Sequence, residues 1–413
     1  MRSFQRRPLR QLGGASWLAV GAALFAPSAA MAHGFGERYD PAFPLAFYAA
    51  AIAAVTLLSA PALWTMALSR EGARAKMLIR MPIPSSVAPL SAALARWLSA
   101  SALVVLIVAG LFGTPVPALS ITSLAVWAGI WMLLFYTCVL LGNLWHLLNP
   151  WDALFRGLER VYARLDPGAG LSLGLRYAHA AGSWPAFALL LGLLWLEAAH
   201  TGASDPRLLA GVLLAFSALT LGGMFLFGRE EWTQRADPLQ LLFSSVSVLA
   251  PVSFGRSLAR GNGTKGALRL RFPGAELLQG RRTLENEQAA AITALLAALM
   301  FGEFAESRAW PTLLGSLGGG LDPDSLLIRT AGLAAFMIGV GSALLAVSNA
   351  LSLLLDVWED PAPVARHLAA ALAPVAVAYH FVSTLPDLLV RGGFLIPALG
   401  ELPVTGRIFP SAG

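Results

Sequence analysis

Leu208–Gly228 reads LLAGVLLAFSALTLGGMFLFG, twenty-one consecutive residues without a charge. A bilayer's hydrocarbon core of about 30 Å needs roughly 20 such residues in a helix rising 1.5 Å per residue. Seven more windows meet the same criterion: 44–68, 97–118, 121–148, 184–201, 288–305, 326–355 and 364–386. The predicted fold is therefore all-α, a polytopic transmembrane helical bundle of about eight spans. Composition agrees: of 413 residues, 57% are hydrophobic and 13% charged, with a mean hydropathy of +0.67. Soluble chains carry about 25% charge. These figures exclude a disordered chain, a coiled coil and a small disulfide scaffold. The single cysteine, Cys138, excludes an intramolecular disulfide and a multi-cysteine metal cage.

Upstream of these windows, residues 1–32 read as a cleaved signal peptide. Arg2, Arg6, Arg7 and Arg10 precede an apolar run, Trp17–Phe25, which leads to Pro27 and Ala30-Met31-Ala32. The expected cut lies before His33, leaving 33–413 as one transmembrane helical domain; the alternative is an uncleaved first helix. Removing the four arginines, in a stretch without acids, lowers the formal charge from +6 to +2. The basic balance thus belongs to the leader, and no basic patch interleaved with aromatics points to nucleic acid. With His33 outside, the inward segments hold nineteen Lys and Arg and the outward ones six. By the positive-inside rule this predicts a multi-pass protein of the bacterial inner membrane with both mature ends periplasmic.

The sizeable inner loop is 229–287. Its stretch Leu239–Val252 (LQLLFSSVSVLAPV) is apolar but too short to span, and is expected to lie in the interface or dip back into the protein. Gly261–Gly266 (GNGTKG) lacks the spacing and the preceding strand of a phosphate-binding loop, and the stretch is read instead as a hairpin turn near 268–273.

Ionisable groups at membrane depth cost at least about 2.5–3.5 kcal/mol near a helix centre, so each is a functional candidate. They sort into two layers. The inner one holds Asn143, His146, Asn149, Asp237, Asn349 and Asp356, read as caps and interhelical hydrogen bonds. In the outer one, Glu197 and His200 form a Glu-x-x-His pair on one helix face, a spacing that can present both groups to one metal. Glu303 and Glu306 lie at the outer end of the window 288–305, His380 and Asp387 toward that of the last, and His33 with Asp40 starts the mature chain. The candidate metal ligands are His33, Glu197, His200 and His380, with Glu197 and Glu303 as ligands or general base. Imidazole and carboxylate donors suit zinc, iron or manganese, and an α-amino plus imidazole chelate at His33 suits copper. A metal-bound water activated to a pKa near 7 is one route to ester hydrolysis. Trp195, Phe301 and Tyr379 are candidate lining for an apolar pocket, with core packing as the alternative. No Gly-x-Ser-x-Gly elbow is present.

Four segments carry a resemblance: His33-Gly34-Phe35-Gly36-Glu37-Arg38-Tyr39-Asp40; Gly142-Asn143 with Asn149-Pro150-Trp151; Gly228-Arg229-Glu230-Glu231-Trp232 with Asp237-Pro238; and Ala373-Pro374-Val375 with Tyr379-His380. Together they resemble bacterial multi-spanning membrane proteins of the fenitrothion hydrolase group. The resemblance implies hydrolysis of organophosphate triesters, aryl dialkyl phosphorothioates entering from the lipid bilayer as lipophilic small molecules. It brings no catalytic residues with it. The competing expectations are a transporter or metal-handling permease using the same buried His and Glu residues, and a scaffold subunit.

Overall fold

The computed structural model describes residues 79–82, 87–168, 170–254, 267–270, 273–274, 283–318, 320–355, 361–394 and 398, with side chains from Ser91 onward except at 253–254, 267–269 and 355. The signal peptide, His33, Asp40, the window 44–68 and Asp356 lie outside the described residues.

Helices dominate. They are α1 Val87–Phe112, α2 Ile121–Leu141, α3 Trp145–Leu148, α4 Pro150–Leu165, α5 Trp184–Ala198, α6 Pro206–Phe227, α7 Arg229–Arg235, α8 Pro238–Val246, α9 Asn286–Glu306, α10 Ala309–Leu317, α11 Leu326–Leu355 and α12 Ala362–Gly393. Six of them, α1, α2, α6, α9, α11 and α12, are long and apolar enough to cross a membrane. The chain is thus a multi-pass helical membrane protein. The expected span 184–201 forms the fifteen-residue α5, about 22 Å long and short of the hydrocarbon thickness. Beside the bundle, β1 Ile79–Pro82, β2 Val252–Phe254 and β3 Ala267–Leu270 pair as an antiparallel sheet in the order β1-β3-β2. The hairpin turn expected near 268–273 comes out differently, since 267–270 is strand β3, paired on both edges; Gly261–Gly266 lies outside the described residues.

The central helix is α9: 67% of its apolar window is buried, against 6% for α11, which presents most of its surface outward. Around α9 pack α5, α8, α11 and α12. Small residues allow close crossings where lipid offers no hydrophobic drive. A Cβ at Gly110 on α1 would sit 2.7 Å from Ala210 Cβ on α6 and 2.7 Å from the Pro206 carbonyl oxygen.

Two predicted elements gain detail. The window 121–148 breaks at Gly142, whose φ of +84° is readily adopted only by glycine. Beyond the break the Asn143 side chain accepts from the Trp145 amide at 3.0 Å and starts α3. Upstream of it, Ala125–Leu134 winds as a π-helix within α2. The stretch around Leu239–Val252, expected in the interface or dipping back into the protein, folds as α8 and a 3-10 turn, Ser247–Leu249, with Leu242 and Phe243 in the core, which agrees with the second alternative. Such non-spanning segments are tolerated where protein covers them.

Asp-Pro and Asn-Pro pairs hold these breaks together. Asn149 caps α4 by accepting from the Trp151 and Asp152 amides at 3.0 and 3.2 Å. Asp237 caps α8 through the Leu239 and Gln240 amides at 2.9 and 3.1 Å. Proline follows each cap, where its missing N–H costs nothing. The second carboxylate oxygen of Asp237 accepts from Trp145 Nε1 at 2.8 Å and Asn149 Nδ2 at 2.7 Å, tying α3 and α4 to α8. Burial pushes the Asp237 carboxyl up to about 6, although these four donors pull it the other way. Nearby, Arg229 joins Asp152 at 2.8 Å and Glu159 at 3.1 Å. The inner polar layer is, at Asn143, Asn149 and Asp237, structural.

Candidate functional site

At the opposite end of the bundle, helix ends and helix starts meet. The last turns of α5 and α9 bring Glu197, Glu303 and Glu306, and the last two turns of α12 bring Asp387 and Arg391. The second turn of α2 and the first turn of α11 bring Trp127 and Arg329. These residues surround a cavity of about 270 Å³, whose wall also includes Trp131, Ser383 and Thr384.

Its electrostatics divide cleanly. Arg329, only 7% exposed, donates to Glu306 at 2.8 Å and lies 3.8 Å from Asp324. Arg391 pairs with Asp387 at 2.6 Å. Glu197 and Glu303 have no ion pair among the described residues, and they stand close enough to repel each other. Glu197 is enclosed by protein except where it faces the cavity. Two carboxylates are therefore left without a compensating cation in an otherwise balanced cavity.

The π-helical segment of α2 supplies the aromatic wall. Trp127 and Trp131, four residues apart, meet edge to face at 6.3 Å. Phe135, one turn further, stacks on the His380 ring at 4.3 Å. π-Helical turns are rare and cluster at functional sites, which fits the position of this one.

The residues expected from sequence separate into groups. Glu197 and Glu303 face one cavity. His200 does not line it: its Nδ1 accepts from the Gly202 amide at 3.1 Å, and its ring meets Trp195 edge to face at 5.5 Å. His380, fully buried, stands behind the wall, with Nδ1 3.0 Å from Tyr136 Oη. His33 lies outside the described residues. Among the described residues, no three His, Cys, Asp or Glu side chains gather as a metal would require. Among the described residues, His200 and His380 are thus not brought to the cavity that Glu197 and Glu303 share. Trp195, Phe301 and Tyr379 are likewise not in the wall. Trp195 Nε1 donates to Thr330 at 2.8 Å, and Phe301 is core, in edge contact with Trp310 and Phe336.

Sequence reasoning passed over Arg329, Trp127 and Trp131. Arg329 lies within the apolar window 326–355, and the rule that selected Glu197 applies to it equally. The tryptophans carry no such mark, because an aromatic pair at helical spacing is usually core.

Comparison of the chain with family models, with curated proteins and with solved structures gives no match.

Proposed function

We propose that this protein is a membrane-embedded hydrolase of lipophilic organophosphate triesters, with Glu197 as general base. One observation carries the reading: an unpaired carboxylate, set beside a second one, opens into a cavity walled by Trp127 and Trp131 at the end of a transmembrane bundle. The aromatic wall suits an apolar aryl ester arriving from the bilayer. The charge bias puts this end outside. The resemblance to the fenitrothion hydrolase group supports the same substrate class.

In the proposed reaction Glu197 takes a proton from water as its oxygen bonds to phosphorus. The phosphorus–aryl oxygen bond breaks and the aryloxide leaves with the electron pair. Glu303 stabilises the protonated state of Glu197 by repelling its anion, and so helps to store the proton until release. General-base catalysis of this kind contributes about 10²–10⁴ in rate. Purified protein in detergent should therefore release nitrophenol from fenitrothion or methyl parathion, and Glu197→Gln should abolish most of that release. Absence of release by the intact protein would sink the proposal.

A second reading, a cation permease, is favoured by the same uncompensated pair, Glu197 and Glu303, together with the broken helix at Gly142. Cation uptake into proteoliposomes, without any ester cleavage, would select it.

A further inference from the structure

At the end of the bundle opposite the cavity, α4 has one face that the fold accounts for and two that it does not. Trp151 and Phe155, each 2% exposed, pack into the core, and Trp151 Nε1 donates to Ser217 on α6 at 2.8 Å. Leu158, Val161 and Leu165 follow at spacings of three and four, so they share one face of the helix. They are 50%, 55% and 78% exposed. Arg160 and Arg164, one turn apart on another side, are exposed as well. The sixteen residues of α4, about 24 Å, are too few to span a bilayer.

The charges on this helix do not balance among themselves. Asp152 is held by Arg156 at 2.7 Å and by Arg229 at 2.8 Å, and Glu159 accepts from Arg229 at 3.1 Å. Both acids within α4 are therefore engaged by other arginines. Arg160 and Arg164 have no ion pair among the described residues, and like charges at i and i+4 repel. An anion from outside the chain would relieve that repulsion.

The spanning helix alongside gives the depth. α6 ends at Phe227, and Arg229, two residues on, is the partner of Glu159. The middle of α4 thus stands where α6 leaves the hydrocarbon. At that level an apolar row and an arginine row on different sides of one helix match the acyl chains and the phosphates of a bilayer surface. Guanidinium suits phosphate through two parallel N–H donors. A second copy of the chain, meeting α4 with its own α4, would oppose arginine to arginine.

We propose that α4 lies in the membrane–water interface, with Leu158, Val161 and Leu165 against acyl chains and Arg160 and Arg164 on the phosphates of anionic phospholipids. This surface is independent of the reaction assigned to the cavity.

The test uses the full chain in lipid nanodiscs. Nitroxide labels are introduced one at a time through Leu158→Cys, Val161→Cys, Leu165→Cys and Arg164→Cys; the native Cys138 is fully buried, and the unaltered chain supplies the background. Labels at 158, 161 and 165 should collide more with oxygen than with a water-soluble nickel chelate, and the label at 164 the reverse. Apolar-row labels that favour the chelate, or that meet neither reagent because a second copy covers them, overturn the interfacial placement. A label at 164 that favours oxygen overturns the headgroup contact. In the second arm, photoactivatable phosphatidylglycerol and phosphatidylcholine are incorporated in turn, and crosslinks to residues 150–165 are counted by mass spectrometry. The anionic lipid should be favoured about fivefold or more at low salt. High salt, or Arg160→Gln combined with Arg164→Gln, should bring the ratio most of the way to one. Equal crosslinking of the two lipids to the unaltered protein overturns the recognition of anionic headgroups. A preference that survives the double substitution overturns its assignment to these two arginines. The label data stand whether or not the doubly substituted protein folds.

Discussion

Asp237→Asn is a nearly isosteric change with a large expected cost, because all four hydrogen bonds of this side chain come from donors. One oxygen caps α8 through two backbone amides, and the other takes Trp145 Nε1 and Asn149 Nδ2. An asparagine has one acceptor oxygen and one NH₂ group. In either orientation the NH₂ group faces two N–H donors, so two bonds are lost and their donors stay buried. At about 1–3 kcal/mol for each orphaned buried donor, the cost is about 2–6 kcal/mol. Asp237→Ala loses the cap as well, about 1 kcal/mol more. Asparagine should therefore lie closer to alanine than to aspartate. Graded SDS unfolding of the protein in mixed micelles measures this. An asparagine variant within about 0.5 kcal/mol of the parent would refute the donor-only geometry and the claim that Asp237 ties α3, α4 and α8 together.

Other outcomes follow from the same structure. The Asp237 carboxyl stands at about 6, above its ordinary 3.8, so the folded state binds this proton more tightly than the unfolded one. Its contribution is complete below about pH 4 and is lost as pH rises to about 6. The loss is about 3 kcal/mol at 1.36 kcal/mol per pH unit, and Asp237→Asn should flatten that part of the stability–pH curve. Gly110→Ala places a methyl group 2.7 Å from Ala210 Cβ and should loosen the α1–α6 crossing by about 1–3 kcal/mol, read in the same SDS titration. Arg329→Ala frees Glu306 into the cavity and adds a third uncompensated carboxylate; nitrophenol release should drop with only a small change in overall stability, since Glu306 reaches solvent.

Much of the bundle was legible because a charge-free run of 20 residues has few other destinations: each of the six long helices overlaps a predicted window, three of them to within about two residues, while 97–118, 121–148 and 364–386 miss an end by six or seven. Local chemistry was legible too: Asn149-Pro150 and Asp237-Pro238 read as cap plus first-turn proline. What resisted reading depends on contacts distant in sequence. Hydropathy carries 121–148 as one run, and only the positive φ of Gly142 shows where it breaks. The fourteen residues from Leu239 look interfacial or re-entrant by length, and which of the two holds depends on α5 and α9 closing over them. At the site, Glu197 and Glu303 stood out as charges in apolar surroundings. The separation of His200 and His380 from the cavity did not, because it is set by the Gly202 turn and by Tyr136, 244 residues from its partner His380.

The central claim is that Glu197 activates water in the cavity between α2, α5, α9 and α12. Its most direct test is nitrophenol release measured side by side for purified parent protein and Glu197→Gln, both shown to be folded. Release by the parent and a fall of about 10²-fold or more in the variant are expected. Equal rates in the two proteins, or none in the parent, would contradict it.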